Sequence, residues 1–135
     1  MENEKQKRRD NILFKSNYPK YSRSGIAFFS RLTFDELGLL LSENLIDPKE
    51  HADSGPSIDQ FYNFMLNWED ENVEITAHGL VTDNKNSDYG IVLEGLEIKS
   101  RQEFSKDLII EFAYLARKAK NFKLKKSYAY CSWTP

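Results

Sequence analysis

Two histidines and one cysteine are the side chains of this sequence best suited to acid–base or nucleophilic chemistry. Neither His51 nor His78 lies in a spacing typical of a zinc site or of a catalytic triad. We therefore expect no metal ion and no cofactor. Cys131 lies in an aromatic segment without a neighbouring histidine, which favours a packed thiol over a nucleophile.

His78 falls on the polar side of a segment in which polar and apolar residues alternate. Glu74 on the same side is about 13–14 Å away along a strand, so a catalytic partner must come from the neighbouring strand, where Glu94 is the candidate. An exposed strand histidine is usually inert. We expect that the protein is not an enzyme. One alternative is that it is a weak hydrolase that uses His78.

The charges are distributed unevenly along the chain. Residues 1–24 contain seven Lys/Arg and three Asp/Glu, residues 25–98 contain three and fifteen, and residues 99–135 contain nine and three. The segments carry net charges of +4, −12 and +6, although the whole chain carries only −2. Folding either pairs the basic ends with the acidic middle or leaves two faces of opposite charge.

Acidic residues gather around the end of a predicted helix and along a predicted hairpin. Concentrated negative charge speeds association with a basic partner and rejects other partners, so we expect this acidic surface to bind another protein. A toxin-neutralising immunity protein is one form of such a module, suggested by size and charge alone. A solvated helix end and hairpin are the structural alternative. The acidic surface comprises Glu69, Asp70, Glu71, Glu74, Asp83, Asp88, Glu94 and Glu97.

Lysines and aromatic residues are interleaved near the end of the sequence. Cations attract phosphates and flat rings stack on bases, so single-stranded nucleic-acid binding is a second alternative function. The sequence pI of about 5.7 argues against it. This basic aromatic segment comprises Lys120, Lys123, Lys125, Lys126, Tyr128, Tyr130 and Trp133.

Capping signals predict the first two helices of the domain. Thr33 and Glu36 match a capping box, which predicts a helix over residues 34–43 that Asn44 can close in the left-handed conformation. Ser57 is the predicted N-cap of a second helix, whose wide aromatic face we expect to be core. The acidic run that follows this helix lies at the negative end of its dipole, which is locally unfavourable.

A third and longest helix is predicted to begin at Ser100 or Arg101. Its last turn would contain Arg117, Lys118 and Lys120, whose positive charges complement the helix dipole.

Alternating apolar residues predict the strands. Residues 73–82 give the clearest strand, and a turn over residues 83–88 joins it to a second strand in a hairpin. The alternation shifts by one residue after Gly95, which predicts a β-bulge. Residues 25–29 are a short candidate strand, and residues 127–133 form an aromatic final strand.

The order of these elements predicts one α+β domain over residues 25–135, with an antiparallel sheet of three to four strands and helices on one face. If residues 25–29 are a strand, the order also fits a ferredoxin-like split βαβ arrangement. The first helical connection would then be broken in two at Asp47 and Pro48.

Residues 1–24 form a basic N-terminal arm, which is either flexible or ordered over the domain through Phe14, Tyr18 and Tyr21. The apolar run from Ile12 to Phe14 is too short for a secretory leader or a membrane span. A single cysteine suits a reducing compartment. We therefore expect a cytoplasmic protein without a membrane partner, and the oligomeric state stays open.

Overall fold

The structure is a computed structural model that describes residues 4–15, 21–82 and 90–134. Its sheet has five strands in the order β1-β2-β3-β5-β4, and every neighbouring pair is antiparallel. The predicted α+β class is confirmed. The elements are α1 Glu4–Leu13, β1 Ile26–Leu32, α2 Phe34–Ser42, α3 Ile58–Trp68, β2 Val73–Thr82, β3 Ile91–Ser100, α4 Lys106–Leu115, β4 Asn121–Leu124 and β5 Tyr128–Ser132.

The sheet contains one strand more than the three to four predicted, because residues 121–124 form a short edge strand of their own. The ferredoxin-like arrangement is not observed. A split βαβ unit joins two parallel strands through a helical connection, whereas β1 and β2, which α2 and α3 connect, pair directly and antiparallel.

The helices cover one face of the sheet and enclose a single hydrophobic core. Ile75 and Ala77 of β2 lie in this core together with Phe61 and Met65 of α3, and all four are almost completely buried. The predicted core role of the aromatic face of α3 is therefore confirmed. None of the helices in the described ranges is long and apolar enough to cross a membrane.

The predicted caps of the first two helices are present. The Thr33 backbone N–H donates to Glu36 Oε1 at 2.9 Å, and the Glu36 N–H donates to Thr33 Oγ1 at 3.2 Å. Asn44 closes α2 with φ of 56°. At the start of α3 the Ser57 N–H donates to Gln60 Oε1 at 2.8 Å.

The predicted start and end of α4 are wrong. Ser105 caps this helix by accepting the Leu108 N–H at 3.1 Å, and the helix ends at Leu115, before the predicted basic last turn of Arg117, Lys118 and Lys120. The start is late because the preceding backbone is bonded elsewhere: the Arg101 N–H donates to Asn72 O and the Phe104 N–H to Lys126 O.

The described part of the N-terminal arm is ordered over the domain. Arg9, Ile12 and Leu13 of α1 are buried, and Phe14 and Tyr21 pack against the core. Tyr18 lies outside the described residues.

Arg9 holds α1 in place through a polar network. Its Nη2 donates to Thr82 O at 3.0 Å, and its Nε pairs with Asp10 at 3.1 Å. Tyr21 completes the network by donating to Asp10 Oδ2 at 2.9 Å. Burial of the phenol is the main reason that the pKa of Tyr21 rises to about 12, and the bond to Asp10 adds to it.

Two β-bulges interrupt the sheet at His78. On β3, Gly95 pairs with His78 but Leu93 pairs with Gly79, which leaves Glu94 as the extra residue. The bulge predicted from the shift after Gly95 is therefore confirmed, one residue earlier. On β1, Phe29 pairs with Gly79 and Leu32 with Ala77, so Ser30 and Arg31 together face His78.

We predict that Arg9→Ala lowers the free energy of unfolding by about 3 kcal/mol, because it removes the cation that pairs with the half-buried Asp10 and a donor to the Thr82 carbonyl. Arg8→Ala on the same helix is the matched control. Its pair with Glu43 is exposed, so the unfolding free energy should hardly change. Urea denaturation measures both variants, and equal losses would contradict the anchoring role of Arg9.

We predict that Gly79→Ala lowers the free energy of unfolding by about 2 kcal/mol, because the added methyl would collide with the Val92 backbone carbonyl at the bulge. Gly38→Ala is the control. A methyl there makes ordinary contact with the Tyr62 ring at 3.5 Å, and alanine favours the helix by about 1 kcal/mol. The midpoint of thermal unfolding, monitored by circular dichroism, should therefore fall for Gly79→Ala and rise for Gly38→Ala.

Candidate functional site

The residues of the predicted acidic surface lie in separate parts of the fold. Glu69, Asp70, Glu71 and Glu74 line one groove between the end of α3 and the start of β2. Glu97 lies apart from them, on the polar face of the sheet, where it lines a second cavity. Asp83 and Asp88 lie outside the described residues, and Glu94 is the bulged residue of β3.

The acidic run after α3 builds the turn into β2. Asp70 Oδ1 accepts the N–H groups of Asn72 at 2.7 Å and Val73 at 2.9 Å. Glu69 Oε1 accepts the Ile75 N–H at 3.0 Å. These bonds offset the unfavourable position of the carboxylates at the negative end of the helix dipole. They explain why acidic residues occur in this turn.

The groove, which we call the acidic groove, has a volume of about 500 Å³. The start of α2 contributes Asp35, which no sequence pattern links to the groove because Asp35 precedes the acidic run by more than thirty residues. The end of β3 forms the remaining wall. The residues that line the acidic groove are Thr33, Asp35, Glu69, Asp70, Glu71, Asn72, Val73, Glu74, Lys99, Ser100 and Arg101.

The carboxylates of the acidic groove repel one another. Burial is the main reason that the pKa of Glu69 is raised, and the charges of Asp35 and Glu74 raise it further. The bond from the Ile75 N–H acts in the opposite direction. A cation placed among these carboxylates would relieve the repulsion.

The face of the sheet opposite the helices is partly exposed, and we call it the open face. Cross-strand partners share a face, so Thr76 lies beside Glu97, and Glu97 lies beside Tyr130. On the outer strands, Phe28 is 72% exposed and Lys123 lies beside Tyr130.

A cavity of about 370 Å³ lies on the open face around the two bulges, and we call it the His78 cavity. It is lined by Ser30, Arg31, Thr76, Ala77, His78, Glu97, Lys99 and Tyr130.

His78 is half-buried in this cavity. Its ring lies parallel to that of Tyr130, with the centroids 5.7 Å apart. Gly95 leaves the space for the imidazole, because a Cβ at this position would collide with it. Burial lowers the pKa of His78, and the charge of Glu97 partly opposes that effect.

Glu97 is the carboxylate that acts on His78. Tyr128 donates to Glu97 Oε2 at 2.7 Å, and this bond is the main reason that the pKa of Tyr128 rises to about 12. Lys99 Nζ lies 3.7 Å from Glu97 Oε1. Glu94, the predicted partner of His78, exerts no comparable influence; its backbone carbonyl accepts the Trp133 N–H at 2.8 Å.

Within the described ranges the imidazole of His78 forms no hydrogen bond to a hydroxyl or thiol. Burial raises the pKa of Cys131 to about 12, as expected for a packed thiol. The described residues also contain no group of three or more His, Cys, Asp or Glu side chains arranged to hold a metal ion.

The basic aromatic segment does not form one continuous surface. Trp133 is only 2% exposed and packs edge-on against Phe61, so it is not available to stack on a base. That part of the prediction is wrong because the final strand turns Trp133 into the core. Tyr128 and Tyr130 lie on the open face, and the exposed residues Lys120, Lys123, Lys125 and Lys126 lie along or beside the edge strand β4.

Comparison of the chain with protein-family models, with curated proteins and with solved structures gives no match.

We predict that His78 titrates below its ordinary value of 6.5, and that Glu97→Gln lowers its pKa further by removing a negative charge. NMR titration of the imidazole signals measures both values, and His78→Ala assigns the signal. Because the unfolded chain binds this proton more readily, the contribution of His78 reduces stability as the pH falls through 6.5. An unchanged or raised pKa in Glu97→Gln would contradict the influence of Glu97.

Proposed function

We propose that the protein is a non-enzymatic interaction module that binds a basic segment of a partner protein in the acidic groove. The main observation behind this proposal is that five carboxylates line one groove, those of Asp35, Glu69, Asp70, Glu71 and Glu74. Two separate parts of the sequence contribute the five carboxylates, so the charge is concentrated by the fold as well as by the local run.

The basic N-terminal arm supports this proposal because it pairs with acidic residues elsewhere. Arg8 pairs with Glu43 at 2.9 Å, and Lys15 pairs with Glu36 at 2.6 Å. These contacts neutralise charge at the two ends of α2 and leave the carboxylates of the acidic groove to a partner. The segment charges are therefore only partly balanced within the chain.

The basic side chains of the acidic groove are outnumbered. Lys99 and Arg101 face five carboxylates, and Lys99 also lies within 3.7 Å of Glu97. A lysine or arginine from a partner would donate hydrogen bonds to the carboxylate oxygens and lower the pKa of Glu69.

The carboxylates of the acidic groove are not equally suitable for substitution. Glu69 and Asp70 bond the backbone of the α3–β2 turn, so changing them would disturb folding. Glu71 and Glu74 are exposed and line the same groove, which makes them the better positions for charge reversal.

We predict that the double variant Glu71→Lys, Glu74→Lys weakens binding of a fluorescein-labelled hexa-arginine peptide by about tenfold, equivalent to ~1.4 kcal/mol. Fluorescence anisotropy at low ionic strength measures the affinity, which should fall as salt is added. The control is Asp53→Lys, Glu103→Lys, which reverses two exposed carboxylates outside the groove and should change the affinity less than twofold.

Equal weakening by the two double variants would show that net charge alone attracts the peptide, and would reject the acidic groove as the binding site. Absence of binding to the unaltered protein would reject it as well. Circular dichroism spectra of both variants establish that they remain folded.

A further inference from the structure

The two β-bulges converge on one side chain. β1 and β3 pair with opposite edges of β2, and each has its extra residue at or next to the position of His78. A bulge redirects the side chains around it and is over-represented beside functional sites. Two bulges at the same residue create the widened, concave part of the open face that contains the His78 cavity.

The bulge on β1 imposes an unusual backbone conformation on Arg31. Its φ is 58°, in the left-handed region that residues with a Cβ rarely adopt. Arg31 lines the cavity, and within the described part of the chain its guanidinium forms no hydrogen bond or ion pair. The contact of Arg31 with Lys15 uses only the backbone carbonyl, so the charge remains available to a ligand.

Arg31 lies on β1, at the edge of the cavity away from Glu97 and Lys99 of β3. It supplies positive charge there, and Ser30 and Thr76 supply hydroxyl donors. A guanidinium binds a carboxylate or phosphate through two parallel hydrogen bonds. The chemistry of this side of the cavity therefore suits an oxyanion.

Two flat rings also line the cavity. His78 and Tyr130 are parallel to within 2° and both remain partly exposed, so a planar group can extend their offset stack. Glu97 lies between these rings and Lys99, and would repel a bare anion. Tyr128 and Lys99 moderate that charge, and the carboxylate can accept a hydrogen bond from an amino group on a planar ring.

We propose that the His78 cavity binds a ligand in which an oxyanion is joined to an amino-bearing planar ring, the chemistry of an adenine nucleotide. Arg31 holds the phosphate, the His78–Tyr130 pair stacks on the ring, and Glu97, whose charge Lys99 moderates, accepts a hydrogen bond from the amino group of the ring. This site is distinct from the acidic groove, although Lys99 lines both. The shared chemistry could be presented by a free nucleotide or by a nucleotide within a single strand.

NMR of the histidine side chains tests the proposal directly, with adenosine monophosphate as the probe. The sequence contains only two histidines, and His51 lies outside the cavity, so its signal is an internal reference. Adenosine monophosphate should shift the His78 signal and leave that of His51 unchanged. Adenosine alone and inorganic phosphate alone should each bind at least about tenfold more weakly, because each lacks half of the recognised group.

Matched variants identify the residues responsible. Arg31→Gln and Tyr130→Leu should each weaken binding of adenosine monophosphate by about tenfold, whereas Arg23→Gln, an exposed arginine outside the cavity, should leave it within twofold. Isothermal titration calorimetry gives the affinities of variants whose unfolding curves match that of the parent protein. No shift of His78, or equal affinity of Arg31→Gln and Arg23→Gln, would overturn the proposal.

An octamer of deoxyadenosine distinguishes the two sources of the ligand. If the site recognises a strand, the octamer should bind more than about tenfold tighter than the mononucleotide, with a steep salt dependence. If the site recognises a free nucleotide, the octamer should bind no tighter than the mononucleotide. Both results support the cavity, and they assign it to different ligands.

Discussion

The inward side of β2, formed by Ile75, Ala77, Gly79 and Val81, packs under the helices while both edges of the strand pair with neighbours. Burying this face removes apolar surface from water and fixes the register of the sheet, since a shift of one residue would turn polar side chains inward. The opposite side chains of β2 must then remain on the open face. The position of His78 is a direct consequence of the core that lies behind it.

The two candidate sites differ in how the backbone creates them. In the acidic groove, carboxylates first satisfy the N–H groups of a tight turn, and the remaining acidic side chains face the solvent across from Asp35. In the His78 cavity, irregular strand pairing widens the surface and Gly95 leaves room for the imidazole. Local hydrogen bonding therefore organises one site, and interrupted pairing organises the other.

Local signals in the sequence predict the elements better than they predict the sites. The reciprocal bonds of Thr33 and Glu36 and the alternation along β2 operate over a few residues, and both are confirmed. The start of α4 depends instead on a bond between Phe104 and the distant Lys126, and the burial of Trp133 depends on Phe61. The contribution of Asp35 to the acidic groove likewise requires the folded chain, so no periodicity or spacing could have revealed it.

The contact between Arg9 and Thr82 joins residues that are 73 positions apart. A ten-residue helix is marginal in water on its own, so α1 depends on a partner that the ribosome adds much later. During synthesis Arg9 can therefore anchor α1 only after the strand that ends at Thr82 has emerged from the ribosome.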